Sequence, residues 1–378
     1  LKNKILKMFV SLFAFSAMAL IISSCGSGGS GGSASVTPKG SRTLGMDIVD
    51  TTPASDFNNN VTLAKSAGVQ VMQLHMLWNG FEQSLASGCS STLQDPGSIL
   101  SIYNSVLPSK GLKMNLGILP ITTSISGIPS DLKPFGDPAY SNANMICRFN
   151  KVLDFVHAAL PNVTLNSLAL GNEIDAYSGA SAFQFWVDYG NFYTQVAAHA
   201  HTLWPGVPVT INGTFAGVYG TSSNPYAQAA YQSLHNVSDV VGVNYYPIDS
   251  GFNVKNPSII AGDIAGLVAL YPNKPIYFQE VGYQSGSTYT GSSQALQAQF
   301  VTAIFQAWDA HASQIPYMAF LRLNDVSHSA AINTAIAYGL PGNNSFIEYI
   351  ETLGLRDYAG NDKLAFTQLK SETHARGW

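Results

Sequence analysis

Eight times from Arg42 onward a short apolar run is followed by a longer stretch with helical spacing, and that alternation leaves few folds open. The runs fall at 43–48, 69–77, 113–119, 164–171, 208–212, 240–245, 276–280 and 318–323. Repeated βα units give parallel sheets whose strands are covered on both faces, which is why the runs are apolar throughout. Eight such units predict an α/β fold, a single (β/α)8 TIM barrel over residues 42–378. The intervening helices are expected at 57–67 with Asp56 as N-cap, 144–160 ending against Pro161, 182–201 and 293–311. In the third of these, Phe183, Trp186, Tyr189, Tyr193 and Val196 recur at helical spacing and are expected to pack against the barrel.

The N-terminal residues read differently. Lys2, Lys4 and Lys7 precede an apolar run from Met8 to Ile22, a charged-then-apolar pattern that fits a secretory leader over residues 1–24. The run ends in Ile22-Ser23-Ser24-Cys25, which resembles the lipobox of bacterial lipoproteins and implies lipid attachment at Cys25. Gly26 in place of Asp then favours an outer-membrane anchor, on either face. Residues 25–41 are rich in Gly and Ser and form a flexible tether. A G-x-G-x-x-G match from Gly26 to Gly31 lacks both the strand and the helix that a nucleotide site needs.

Composition narrows the partners. With 46% hydrophobic residues, 11% charged residues and a net charge of −4, the chain has no basic field for nucleic acid. Cys89 and Cys147 are compatible with one disulfide or two free thiols. His157, His199, His201, His311 and His328 fall in helices or loops rather than at strand ends, so no metal or other cofactor is expected. A monomer is the simplest assembly.

The chemistry is expected where barrels keep it, at the C-terminal ends of strands. Six Glu occur in the chain, and two of them close apolar strands: Glu173, after Ser167-Leu168-Ala169-Leu170-Gly171-Asn172, and Glu280, after Ile276-Tyr277-Phe278-Gln279. A carboxylate inside a strand bears a desolvation cost with no cation beside it, so the tolerable place for it is the open end of the sheet. Glu348, Glu351 and Glu372 read as a solvated helical face, and Glu82 as a loop residue. Period-two alternation puts Gly242, Asn244 and Tyr246 on one face, so Tyr246 rather than Tyr245 points into the site. Asp47 ends the first strand, and Gln73 and His75 share a face of the second. Trp78, Phe81, Tyr177, Phe215, Tyr219 and Tyr283 are candidate platforms for sugar rings. The long loops around 81–96 and 120–142 are expected to build the cleft walls.

Gly171-Asn172-Glu173, Gly242-Val243-Asn244-Tyr245-Tyr246-Pro247 and the strand-end Glu280 together resemble clan A of the glycoside hydrolases. Within the clan, Gly-Asn-Glu-Ile, Tyr-Tyr-Pro and a Glu-x-x-Tyr from Glu280 to Tyr283 are most similar to the endo-β-1,4-galactanase family. The resemblance implies a retaining hydrolase, endo-acting on a β-linked polysaccharide such as β-galactan, β-glucan or β-mannan. Glu280 would be the nucleophile and Glu173 the acid/base, with carboxyl groups about 5 to 5.5 Å apart. Asn172 would hold the sugar 2-hydroxyl and Tyr246 would orient the nucleophile, with Asn244, Asp47, His75, Gln73, Trp78 and Tyr283 also touching substrate. Two departures stand out: Gln73 or His75 replaces a strand-two Arg, and the eighth strand reads Met318-Ala319-Phe320-Leu321-Arg322 without a Trp. They leave open a lipid-anchored glycan-binding protein on a disabled barrel.

Overall fold

The computed structural model describes residues 36–48, 57–82, 88–133 and 139–378. The leader, Cys25, the tether up to Ser35 and the Asp56 cap lie outside the described residues. Barrel strands are β1 (Thr43–Met46), β2 (Val71–Leu77), β3 (Lys113–Leu119), β4 (Leu165–Ala169), β5, β6 (Val241–Tyr245), β7 (Ile276–Val281) and β8 (Tyr317–Phe320). All pair in parallel, each with its neighbour in sequence, and β1 pairs with β8. The expected (β/α)8 barrel is the fold of the chain.

β5 is the seam. Its first segment, Val209–Thr210, pairs with β4, and its second, Asn212–Thr214, pairs with β6, with buried Ile211 between them. Hydrogen bonds continue across the break: Leu170 N–H donates to Thr210 O at 2.9 Å and Glu173 N–H to Asn212 O at 2.9 Å. The backbone of Glu173 is thereby tied to the strand that closes the barrel.

Polar side chains fill part of the interior. Ser167 donates to Asn115, whose amide donates in turn to Gln279 across the barrel, and all three are buried. Such a layer is tolerable where donors meet acceptors, and here only the Gln279 amide nitrogen is left without a partner among the three. Gly117 has a specific reason to be glycine: a Cβ there would lie 2.5 Å from Cδ2 of His75, so its absence lets that imidazole lie across the barrel.

The outer layer comprises α1 (Phe57–Ser66), α2 (Ile99–Lys110), α3 (Ala143–Ala159), α4 (Phe183–Leu203), α5 (Phe215–Tyr219), α6 (Ala227–Val237), α7 (Ile260–Leu270), α8 (Gln294–Ala310) and, at the end, α11 (Leu364–Arg376). In α4, Trp186, Tyr189, Tyr193 and Val196 are buried as the spacing implies, but Phe183 is 64% exposed because it sits in the first turn, beyond the barrel wall.

Between β8 and α11 the chain makes an excursion, α9 (His328–Ala337) and α10 (Asn344–Glu351), with its own cluster of Val326, Ala331, Ala335, Phe346, Ile347, Tyr349 and Leu353. Glu348 is not on a solvated face. It accepts the backbone N–H groups of Thr288, Tyr289 and Thr290 at 2.7 to 2.9 Å, pinning α10 to the loop after β7. Glu351 pairs with His328 and Glu372 with Arg376. Glu82 forms a buried ion pair with Arg148.

Cys89 and Cys147 form a disulfide across 58 residues of sequence, which resolves the alternatives the sequence left open. It ties the segment after β2 to α3. Cross-linking over a loop of that length restricts the unfolded chain by up to about 4 kcal/mol. The double replacement Cys89→Ser with Cys147→Ser is expected to lose about 2 to 4 kcal/mol in urea unfolding, and the wild type with dithiothreitol should match it.

Candidate active site

A cavity of about 760 Å³ opens at the C-terminal mouth of the barrel. β2 gives it His75, the turn after β3 gives Thr122 and Thr123, and the end of β4 gives Asn172 and Glu173. β5 and α5 add Thr214, Phe215 and Tyr219, and β6 adds Asn244, Tyr245 and Tyr246. Glu280 enters from β7 and Arg322 from the end of β8.

Strict alternation would place only one of Asn172 and Glu173 inside. Both reach the cavity because the backbone turns there: Gly171 has φ +115° and Glu173 has φ +49°. The turn is held from the side. Asn172 N–H donates to Ile121 O at 3.0 Å, and Thr123 N–H donates to Asn172 O at 2.9 Å. Side-chain bonds fix the amide, whose Oδ1 accepts from Asn244 at 3.0 Å and from Asn212 at 3.4 Å.

The two carboxyl groups have different company. Glu173 accepts from the Thr123 hydroxyl at 2.7 Å and from the Asn244 amide at 3.2 Å. Glu280 accepts the Tyr246 hydroxyl on Oε2 at 2.5 Å, while its Oε1 faces Nδ1 of His75 at 3.3 Å and the Gln73 amide at 3.4 Å. Burial pushes His75 down to about 4, so at neutral pH it is a neutral ring. The neutral ring faces Glu280 Oε1 with Nδ1 at 3.3 Å, and its Nε2, as the unprotonated nitrogen, accepts from the Gln73 amide at 3.4 Å.

Both carboxyls are pushed upward, first by desolvation. The charge of Glu280 raises Glu173 further and Asp175 adds to it, against the two hydrogen bonds. For Glu280 the Tyr246 hydrogen bond pulls back, Asp47 pushes up, and the Arg322 guanidinium favours the ionised form. Glu280 has two hydrogen-bond donors and the Arg322 cation in favour of its charge and Asp47 against it, whereas Glu173 has two donors in favour and the charges of Glu280 and Asp175 against it. The balance of these influences favours the proton on Glu173 and the charge on Glu280.

Several expected contacts fall elsewhere. Trp78 is fully buried, packs edge-on against Phe149 at 5.2 Å and donates to Glu82 at 2.9 Å. A 3-10 turn over Trp78–Phe81 swings it off the strand axis and into the core. Tyr283 is 2% exposed, stacks on Phe300 and donates to Lys255 O at 3.0 Å, so it braces a loop. Phe81 and Tyr177 are likewise buried and do not line the cavity. Asp47 does not line it either; its backbone is tied to Phe320 and Leu323, and its charge is felt by Glu280 and His75. Phe215 and Tyr219 do line the cavity, stacked at 5.1 Å.

The described parts of the two long loops supply little of the wall beyond Thr122, Thr123 and Ser124. One side is built by Ile248, Phe252 and Lys255 after β6 and by Tyr338, Leu340, Phe346 and Tyr349 of the α9–α10 excursion. The sequence reading missed Thr123, Tyr338 and Tyr349. Thr123 sits just past an apolar strand, as both Glu residues do, and reading every strand end for polar groups finds it.

Fold and site together define a (β/α)8 barrel with paired, upshifted carboxyl groups at its mouth. No family model and no curated protein matches the chain. Among solved structures it is similar to GH5_18 from Streptomyces cattleya in complex with GlcNAc, with a TM-score of 0.63 and 16% identity over 91% of this chain and 82% of that one. It is also similar to the exo-β-1,4-mannosidase Op5Man5 from Opitutaceae bacterium strain TAV5, with a TM-score of 0.62 and 18% identity over 89% and 59%. A GH5_18 from Bifidobacterium longum subsp. infantis gives a TM-score of 0.62 and 12% identity over 88% and 78%. At these identities the likeness is one of fold.

Proposed function

We propose that the protein is a retaining β-glycoside hydrolase. The observation that carries this reading is the pair Glu173 and Glu280 in one cavity, with surroundings that keep the proton on the first and the charge on the second. Ionised Glu280 attacks the anomeric carbon while Glu173 protonates the departing oxygen, giving a glycosyl-enzyme. Glu173 then takes a proton from water, which attacks the same carbon and releases Glu280. Asn172 has its Oδ1 engaged by Asn244 and Asn212, and its amide also donates to the Thr122 hydroxyl at 3.4 Å, which leaves one N–H for a sugar hydroxyl.

The substrate class is a β-linked glycan such as β-galactan, β-glucan or β-mannan, cut internally. The galactan reading rests on the motifs at Gly171–Ile174, Tyr245–Pro247 and Glu280–Tyr283 alone, and Tyr283 is a brace rather than a sugar contact. Incubation with β-1,4-galactan, β-1,3-glucan, β-mannan and xylan is expected to release oligosaccharides from at least one. Tight binding with no new reducing ends from any would favour the glycan-binding alternative. Export as a monomer held to the membrane by a lipid on Cys25 belongs to the same proposal. Palmitate labelling of cells, lost in Cys25→Ser, tests it.

Tyr246→Phe removes the strongest donor to Glu280. A hydrogen bond to a charged group is worth about 1.5 to 3 kcal/mol, so kcat/KM is expected to fall roughly tenfold to a hundredfold. Because that bond lowers the Glu280 pKa, the acid limb of the pH profile should move upward in the same variant.

A further inference from the structure

Arg322 acts on Glu280 through its charge alone, and the mechanism gives its guanidinium no hydrogen-bond partner. It follows β8 and lines the cavity beside Leu321. Its Nε is buried with no hydrogen-bond partner, and among the described residues no ion pair holds its guanidinium. A guanidinium is a permanent cation with a planar fork of donors, and burying one unpaired is costly. Glu280 is near enough for the two charges to feel each other, yet it does not serve as the partner. Its oxygens accept from Tyr246 and Gln73, two neutral donors, and face the neutral His75 ring at 3.3 Å. The other acids of the cavity are also engaged: Glu173 by Thr123 and Asn244, and Asp263 by the Tyr245 hydroxyl at 2.7 Å. The one further cation, Lys255, is exposed at the rim.

From this we infer that Arg322 is a specificity-determining residue that receives a carboxylate carried by the substrate, so that the preferred glycan has a uronic acid residue beside Glu280. A sugar entering the cavity expels the water that now solvates the guanidinium. A neutral sugar offers the fork hydroxyl oxygens but no charge, whereas a uronate presents two coplanar anionic oxygens that match it and cancels its charge. The same cation offsets the repulsion that Glu280 would otherwise exert on an anionic substrate. The inference rests on the hydrolase reading for its biological meaning, but not for its test.

Binding is read first. Thermal unfolding of the wild type is followed with D-glucuronate and D-galacturonate, and with D-glucose and D-galactose, at one fixed ionic strength. The uronates are expected to raise Tm more than the neutral sugars, and Arg322→Met should abolish or reverse that difference. Arg322→Lys keeps the charge without the fork and should retain only part of it; it also serves if Arg322→Met fails to fold. Equal responses to both sugar classes, or a uronate preference that survives both replacements, overturns the inference. Turnover is read second, on nitrophenyl β-glucuronide and β-galacturonide against the neutral β-glucoside and β-galactoside. The ratio of uronide to neutral kcat/KM is expected to fall at least roughly tenfold in Arg322→Met. Cleavage of neutral glycosides alone by the wild type sinks this inference and keeps the hydrolase, while uronate-selective binding without any turnover does the opposite.

Discussion

Glu280→Gly is expected to lower turnover of an aryl β-glycoside by about four orders of magnitude or more, because the variant has no group to form the glycosyl-enzyme. Azide should restore a large part of it. The missing side chain leaves a space bordered by the Tyr246 and Gln73 donors and the His75 ring, surroundings suited to a small anion. Azide entering there attacks from the side Glu280 would have used, in one displacement, and the product is a glycosyl azide of inverted configuration. Nuclear magnetic resonance of the product reads the configuration directly. Full activity without azide, or rescue with retained configuration, would remove Glu280 from the nucleophile's place.

The barrel was legible because its signal is repeated. Eight apolar runs recover all eight strands, with ends displaced by up to three residues, and Lys113–Leu119 coincides with the expected run. What period and composition could not carry was the break at Ile211, where one strand serves both ends of the sheet. The carboxylates were legible for a physical reason too: a Glu that terminates an apolar strand has few tolerable places, and the rim is one. Alternation favoured Tyr246 over Tyr245; both line the cavity, and it is the Tyr246 hydroxyl that reaches Glu280 while that of Tyr245 goes to Asp263.

Residues beyond the strand ends were harder. Trp78 follows β2 directly, but one turn of 3-10 helix separates a sugar platform from a core residue, and no spacing rule encodes that turn. Tyr283 keeps the expected distance from Glu280 in sequence and still ends on Phe300. The wall formed by Tyr338, Phe346 and Tyr349 comes from helices whose apolar faces read like those of any outer helix. Glu348, read as solvated, is instead the clamp that holds this wall to the loop after β7, and three backbone donors hold its pKa below the ordinary range against desolvation.

Glu173→Ala should separate the two halves of the reaction. Polysaccharide hydrolysis is expected to fall by about 10² to 10⁴, the usual worth of a positioned proton donor. A dinitrophenyl β-glycoside needs no such help, so its first step should proceed and the glycosyl-enzyme on Glu280 should accumulate as a burst. Azide then attacks that ester and gives a glycosyl azide of retained configuration, the opposite of the Glu280→Gly outcome. The pH profile adds an independent reading. In the wild type, activity requires a proton on Glu173 and none on Glu280, which gives a bell belonging to the coupled pair. Desolvation and the charge of Glu280 raise Glu173, so the alkaline limb lies well above the ordinary carboxylate range. Glu173→Ala should erase that limb for the dinitrophenyl substrate, since the group that loses its proton is gone. A limb that persists unchanged would belong to some other acid, and the division of labour between the two carboxyls would then be wrong even if both are needed.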